Sequence, residues 1–190
     1  DSKFLAMSYN NDIFLYNLTT NEIYNITDDG RWNHIINGTT DWVYEEEYGF
    51  TQAYAFSPDG AEIAYLKFDE SHVKEFEMMR YDNKLYNEAY RFKYPKAGEE
   101  NSIVTLHVYN IASGQTRQID TGAETDQYLP RIGYTPAGDL FYYRVNRLQN
   151  HFEVVLCRKD GTQTVIYDET SPTYVERPAL STIRFVDGDR

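Results

Sequence analysis

Short segments in which apolar and polar residues alternate recur along the chain, and most of them stop at a turn. The clearest example is Ala53–Leu66, in which Pro58-Asp59-Gly60 separates two such segments. Proline presets φ at a turn and glycine accepts a positive φ, so this pattern predicts a β-hairpin. Pro130–Tyr143 repeats the pattern, Ser181–Arg190 begins it a third time, and Lys3–Ser8 resembles its second half.

Two more strands are predicted beside these hairpins each time, again separated by turn residues. The pairs are Asp12–Asn17 with Glu22–Thr27, Thr105–Ile111 with Gln115–Asp120, and Phe152–Cys157 with Thr162–Tyr167. A unit of four antiparallel strands that repeats along a chain is typical of a β-propeller blade. An all-β sandwich has similar turn spacing and stays open as an alternative.

The repeats predict an all-β fold, a partial β-propeller of about three four-stranded antiparallel blades with a short helical turn near 41–48. Closed propellers have roughly four to eight blades, so residues 1–190 are expected to be one segment of a larger propeller domain. The expected parts are a blade without its first strand (1–30), an insertion with acidic residues (31–50), a blade with an insertion at 69–100 (51–122), a third blade (123–170) and the start of the next blade (171–190).

Composition narrows the classes of function. Asp and Glu number 30 against 18 Lys and Arg, a formal charge of −12, so the basic surface of a nucleic-acid-binding protein is not expected. Cys157 is the single cysteine, which excludes an internal disulfide. The nucleophile motif G-x-S-x-G, the P-loop and the zinc motif H-E-x-x-H do not occur in the sequence. We therefore predict no catalytic residue, no metal and no cofactor in this chain.

One segment carries candidate chemistry, the run Asp41-Trp-Val-Tyr-Glu-Glu-Glu47. Thr40 or Asp41 can cap a short helix, because both side chains accept hydrogen bonds from the first amides. A run of acids usually belongs to a solvated surface. Here aromatic residues flank the acids, which indicates a docked segment whose carboxylates form a cation site. At an effective dielectric constant near 20, one carboxylate about 4 Å away attracts an ammonium by roughly 4 kcal/mol before desolvation, so an α-amino group would stay protonated there.

The segment Asp41–Glu47 resembles the glutamate motif of the dipeptidyl peptidase IV family. Tyr94-Pro-Lys-Ala-Gly98 and Arg147-Leu-Gln-Asn150 resemble two further segments of that family, and the resemblance covers most of the chain. It implies an eight-bladed propeller joined to a C-terminal α/β-hydrolase domain that holds the Ser-Asp-His triad. Because no part of that domain falls within these residues, we expect this chain to be inactive on its own.

Members of that family remove dipeptides from peptide N-termini, usually after Pro or Ala. The resemblance implies that Glu46 and Glu47 bind the free α-amine of the peptide. With the amine fixed, only the second peptide bond reaches the nucleophile, so binding energy is converted into positioning. The residues expected to support this pair are Asp41, Trp42, Tyr44 and Glu45, the last as a structural residue.

The same resemblance implies partners and a location. The insertion, at 69–94, corresponds to an arm that joins a homodimer contact, and its Met and aromatic side chains suit an interface; a loop packed on its own blade is the alternative. Family members act outside the cytoplasm, in the periplasm, secreted or anchored to a membrane. Two other functions stay open: a propeller that acts only as an interaction module, and the propeller of a prolyl tripeptidyl peptidase or oligopeptidase.

Overall fold

The first sheet is antiparallel and has three strands in the computed structural model, which describes residues 3–176 and 183–186. Its strands are β1 (Phe4–Tyr9), β2 (Asp12–Asn17) and β3 (Ile23–Asn25), in that order. Asn10 and Asn11 join β1 to β2 with φ angles of 51° and 66°. A two-residue turn with two positive φ angles matches the twist of the flanking strands, and asparagine tolerates this conformation.

The second sheet begins with a strand that a helix interrupts. β4 (Ile35–Asn37) and β5 (Tyr54–Phe56) both pair with β6 (Glu62–Asp69), and α1 (Trp42–Tyr48) lies between them in sequence. The register sets β4 against the C-terminal part of β6 and β5 against its N-terminal part. Part of the 31–50 segment therefore belongs to the sheet itself, and α1 leaves from within the first strand of this sheet.

A hairpin follows β6 and forms its own two-stranded sheet. It consists of β7 (Glu75–Arg80) and β8 (Glu88–Lys93), inside the 69–100 segment. Every residue of β7 is exposed, and Leu85 and Tyr86 between the strands are 91% and 81% exposed. After it, β9 (Ile103–Asn110) and β10 (Gln115–Ile119) complete the second sheet in the order β10-β9-β6-β4.

The third sheet repeats the interrupted first strand. β11 (Gln127–Tyr128) and β12 (Ile132–Tyr134) both pair with β13 (Leu140–Asn146), and Leu129–Arg131 lie between them. The sheet continues through β14 (His151–Cys157) to β15 (Gln163–Thr170) in the order β11-β13-β14-β15. The second and third sheets thus have the same strand arrangement, and in each an irregular segment interrupts the first strand.

Two clusters of buried side chains hold the sheets together. The larger cluster joins α1 to the second and third sheets and includes the fully buried Tyr44, Leu129 and Tyr142. The smaller cluster joins the first and second sheets through Ile13 and Ile63. Burial of one such side chain contributes about 1.5–3 kcal/mol relative to an exposed position. Helix α1 is therefore part of the main core.

The predicted all-β partial propeller is confirmed. The described part of the chain is built almost entirely of antiparallel sheets, and these sheets do not close into a ring. In the described part of the chain α1 is the one helix, and it falls at the predicted 41–48 segment. The expected start of a further blade, at 171–190, lies largely outside the described residues, which omit 177–182 and 187–190. None of the helical structure described here has both the length and the apolar character to cross a membrane.

Candidate functional site

Helix α1 begins at a buried cap. Asp41 is 5% exposed, and its Oδ1 accepts a hydrogen bond from the Tyr44 amide at 2.9 Å. Its Oδ2 accepts one from the Ser102 hydroxyl at 2.6 Å. Burial raises the pKa of the Asp41 carboxyl, and the hydrogen bonds from Ser102 and Tyr44 oppose that shift because they stabilise the carboxylate. Of the two candidate capping residues, the structure selects Asp41.

The inner side of α1 is anchored by Tyr44, which is 1% exposed. Its ring centroid lies 4.9 Å from that of Phe68 and 5.3 Å from that of Tyr48, and its hydroxyl accepts a hydrogen bond from the Leu129 amide at 2.8 Å. Aromatic pairs of this kind contribute about 0.5–1.5 kcal/mol beyond their burial. A helix of seven residues is not stable alone, so these tertiary contacts fix its orientation.

The outer side of α1 carries the three glutamates. Glu45, Glu46 and Glu47 are all exposed. The helix ends at Gly49, whose φ is 68° and whose amide donates to the Glu45 carbonyl. The last turn contains no basic residue, and negative charge at a helix C-terminus costs roughly 0.3–1 kcal/mol. The three glutamates therefore lie exposed on a short helix that is fixed at both ends, at a local cost in stability.

The structure brings together the segments that resemble the peptidase family. The ring centroids of Trp42 and Tyr94 lie 4.2 Å apart, so the first segment contacts the second. The Arg147 guanidinium donates to the Glu99 carbonyl at 2.7 Å, so the third segment contacts the residue that follows the second. The first segment thus contacts the second, and the residue after the second contacts the third, although about fifty residues separate successive segments in sequence.

Three residues that support α1 were not predicted from the sequence: Ser102, Leu129 and Arg131. Arg131 is 8% exposed, its Nη2 donates to the Tyr48 carbonyl at 3.1 Å, and its guanidinium carbon lies 4.3 Å from the centre of the Phe50 ring. A charged residue inside a predicted strand with apolar neighbours was a usable signal for Arg131. No comparable signal marks Ser102 or Leu129, since their role depends on backbone and hydroxyl contacts.

A second buried carboxyl lies near the cap. Glu70 is 6% exposed, and burial raises its pKa to about 7. The Asp41 carboxylate adds to this shift and the Lys93 ammonium opposes it. Lys93 donates to the Val73 carbonyl at 2.7 Å. The region next to the start of α1 therefore holds two buried carboxyl groups, and the Asp41 carboxylate disfavours the ionisation of Glu70.

One group of side chains has the spacing of metal ligands among the residues that the structure describes. The ligand atoms of His151, Glu153 and Asp168 lie within 4.8 Å of one another. However, Glu153 already accepts from Arg144 at 2.7 Å, and this guanidinium disfavours a second cation. The absence of a metal and of a cofactor stays a prediction.

Comparison with known proteins identifies the family of the chain. Residues 1–189 match the family model described as the dipeptidyl peptidase IV (DPP IV) N-terminal region. The chain is 34% identical over 179 residues to dipeptidyl peptidase 4 of Trichophyton tonsurans, and the match covers 89% of this chain and 23% of that protein. It is 32% identical over 165 residues to venom dipeptidyl peptidase 4 of Vespa velutina, and the match covers 80% of this chain and 21% of that protein.

The crystal structure of Porphyromonas gingivalis dipeptidyl peptidase 4 has the same fold. It superposes with a TM-score of 0.94 at 38% identity and covers all of this chain and 27% of that one. The interrupted antiparallel sheets thus define a propeller-like domain segment. The chain belongs to the dipeptidyl peptidase IV family, in its N-terminal region, and the predicted family is confirmed. It spans about a quarter of the length of these relatives.

Proposed function

We propose that this chain is the substrate-selecting part of a serine exopeptidase that removes X-Pro or X-Ala dipeptides from peptide N-termini. In this role Glu46 and Glu47 bind the free α-ammonium of the substrate. The observation that supports the proposal is the construction of α1, which presents exposed carboxylates on one side and is held in the main core on the other.

The electrostatics of α1 favour a cationic ligand. Adjacent carboxylates repel each other, and Glu46 and Glu47 lie in a last turn without a basic residue. An ammonium bound between them reduces the repulsion between the two carboxylates and the unfavourable interaction of their charge with the C-terminal end of the helix. An exposed ion pair contributes only about 0–1 kcal/mol, but a charge-assisted hydrogen bond in a site covered by substrate contributes roughly 1.5–3 kcal/mol.

A fixed amine site selects the bond that is cleaved. Asp41 holds the first turn of α1 and Tyr44 holds its inner side. A bound α-ammonium therefore lies at a fixed distance from any nucleophile that faces α1, and only one peptide bond reaches that nucleophile. The nucleophile would come from a C-terminal α/β-hydrolase domain of the same protein, and the 190 residues alone are expected to be inactive.

The remaining parts of the proposal concern partners and location. The exposed hairpin within 69–94 would join a homodimer, because Phe76, Met78, Met79 and Tyr81 offer apolar surface at 39–75% exposure. The enzyme would act outside the cytoplasm, in the periplasm, secreted or membrane-anchored, as the family resemblance implies.

The experiment uses the full-length protein that contains this region and compares Glu46→Gln and Glu47→Gln with Glu45→Gln. All three replacements remove one negative charge from the same helix, so Glu45→Gln controls for the change in overall field. We expect kcat/KM on Gly-Pro- or Ala-Pro-chromogenic substrates to fall about tenfold or more for Glu46→Gln and Glu47→Gln, since one lost charge-assisted hydrogen bond corresponds to at least that factor. Glu45→Gln is expected to change it by less than about threefold.

An N-acetylated substrate separates amine binding from other effects. It cannot supply the ammonium, so the parent enzyme should cleave it poorly and the Glu46 and Glu47 variants no worse. Unchanged kcat/KM on the free substrate for both variants would overturn the amine site. Release of tripeptides instead of dipeptides from a longer peptide would indicate a tripeptidyl peptidase, and no hydrolysis at all would indicate an interaction module.

A further inference from the structure

A buried arginine holds the end of α1 that bears the glutamates. Arg131 is 8% exposed, and its Nη2 donates to the carbonyl of Tyr48, the last residue of α1, at 3.1 Å. Its guanidinium carbon lies 4.3 Å from the centre of the Phe50 ring, within the range of a cation–π contact. Both contacts lie directly after Glu46 and Glu47 in sequence, at Tyr48 and Phe50.

No carboxylate in the described part of the chain forms an ion pair with Arg131, and its Nε has no hydrogen-bond partner there. Among the residues that the structure describes, the guanidinium donates only to main-chain carbonyls, those of Tyr48 and Pro130. Burying a charge without an opposite charge is costly, and an apolar side chain would fill the same space with less desolvation. The contribution specific to arginine is therefore positive charge and a rigid donor at the C-terminal end of α1.

This is the position where the helix lacks a cation of its own. The last carbonyls of a helix have no partner within it and carry partial negative charge, and the last turn of α1 contains acids and no base. Arg131 supplies the missing charge from another sheet, since it lies between β11 and β12. Leu129, two residues earlier, donates its amide to Tyr44. The interrupted strand of the third sheet therefore contacts α1 at its middle and at its end.

We propose that Arg131 is a positioning residue that sets the direction of Glu46 and Glu47 and thereby tunes recognition of the substrate amine. This inference rests on the proposed role of that pair. Arg131 does not touch the substrate in this scheme. It acts by fixing the last turn of α1, so its loss should weaken recognition of a free amine and leave the chemical step on other substrates unaffected.

The test compares Arg131→Met with Arg144→Met in the full-length protein. Both replacements remove a partly buried guanidinium from the third sheet, but Arg144 bonds to Glu153 and to the Thr121 carbonyl, and neither partner belongs to α1. We expect Arg131→Met to lower kcat/KM about tenfold on a free dipeptidyl substrate and less than about twofold on its N-acetylated form. Arg144→Met should lower thermal stability and leave the ratio between the two substrates unchanged.

A double-mutant cycle tests whether Arg131 acts through the glutamates. In a Glu46→Gln/Glu47→Gln background, Arg131→Met should lower kcat/KM by less than about twofold, since the groups that it positions are already neutral. A full tenfold loss in that background, or an equal loss on the acetylated substrate, would overturn the inference. If Glu46→Gln/Glu47→Gln has no effect in the parent, the proposed amine site itself fails, which is a separate outcome.

Two further measurements keep the test decisive. Arg131→Lys retains the charge over Phe50 but not the rigid fork, so a loss of about threefold that is selective for the free substrate is expected, and no selective loss would contradict the proposal. Hydrogen exchange of the Gly49 amide, which bonds to the Glu45 carbonyl, reports the last turn without any activity assay. We expect it to accelerate about tenfold in Arg131→Met and not in Arg144→Met. Unchanged exchange would show that Arg131 does not hold this turn.

Discussion

The hydroxyl of Tyr44 accepts a hydrogen bond from the amide of Leu129 at 2.8 Å, across 85 positions of sequence. Tyr44 is 1% exposed and Leu129 is fully buried. The bond joins the helix inserted in the second sheet to the interruption in the first strand of the third sheet. The position of the acidic helix therefore depends on contacts between two sheets that lie next to each other.

Tyr44→Phe removes this hydrogen bond and leaves the ring in place. The Leu129 amide then stays buried without its partner, which costs about 1–3 kcal/mol in the free energy of unfolding. Chemical denaturation of the full-length protein measures the loss in the transition of the propeller domain. Tyr16→Phe is the control, since its hydroxyl bonds to Asn21 in an exposed position and should cost less than about 0.5 kcal/mol. Equal losses for the two variants would contradict the buried hydrogen bond.

Gly38→Ala should disturb the base of the loop that carries α1. Gly38 has a φ of 73°, and an added Cβ would lie 2.5 Å from Cγ1 of Ile13. Gly60 has a φ of 70° with no atom within 4 Å of an added Cβ, so it isolates the conformational cost. We expect Gly60→Ala to lose about 1–2 kcal/mol of stability and Gly38→Ala about 2–5 kcal/mol, because overpacking adds to the strain. Similar losses of stability at both sites would show that the Ile13 side chain moves to accommodate the added methyl group.

Glu70 should make stability depend on pH near neutrality. Burial raises its pKa from 4.5 to about 7, so between these values the folded state holds a proton that the unfolded state has released. Stability from this group is present at low pH and falls as pH rises through about 7. Glu70→Gln should therefore have a melting temperature similar to that of the parent near pH 5 and higher near pH 8. A constant difference between the two proteins from pH 5 to pH 8 would contradict this assignment.

The hairpin of β7 and β8 should mediate self-association of the full-length protein. Leu85 and Tyr86 are 91% and 81% exposed between its strands. Replacing both by Asp places charge in an apolar contact, and we expect a shift from dimer to monomer in analytical ultracentrifugation. Leu148→Asp changes another highly exposed leucine, at 76%, outside the hairpin and should leave the dimer intact. A parent protein that is already monomeric, or a hairpin variant that stays dimeric, would contradict the interface.

Local patterns were sufficient to predict several elements. The predicted strand Asp12–Asn17 coincides with β2, and the predicted Phe152–Cys157 differs from β14 by one residue. The acidic segment forms a helix where a cap was expected, with Asp41 as the capping residue. Each of these features depends on neighbours in sequence, such as turn residues, alternation of apolar positions and a capping side chain.

The interrupted strands were not predicted. β4 is three residues long and β11 two, too short for alternation to mark them, and each is a strand only because β6 or β13 supplies its hydrogen bonds. The acidic segment was expected ahead of its blade for this reason. In the structure it leaves from within the first strand of the second sheet, between Gly38 and Ala53, which are joined by a hydrogen bond of 2.9 Å.

The sequence by itself determined that the chain forms repeated antiparallel sheets and that the acidic residues lie on one short helix. Only the tertiary structure decided how that helix is held. Asp41 meets Ser102, Tyr44 meets Leu129 and the Tyr48 carbonyl meets Arg131, at sequence separations of 61, 85 and 83 residues. A helix of seven residues contributes too few hydrogen bonds of its own to choose an orientation. The direction of the glutamates is therefore set by packing between sheets, and local sequence patterns do not predict this packing.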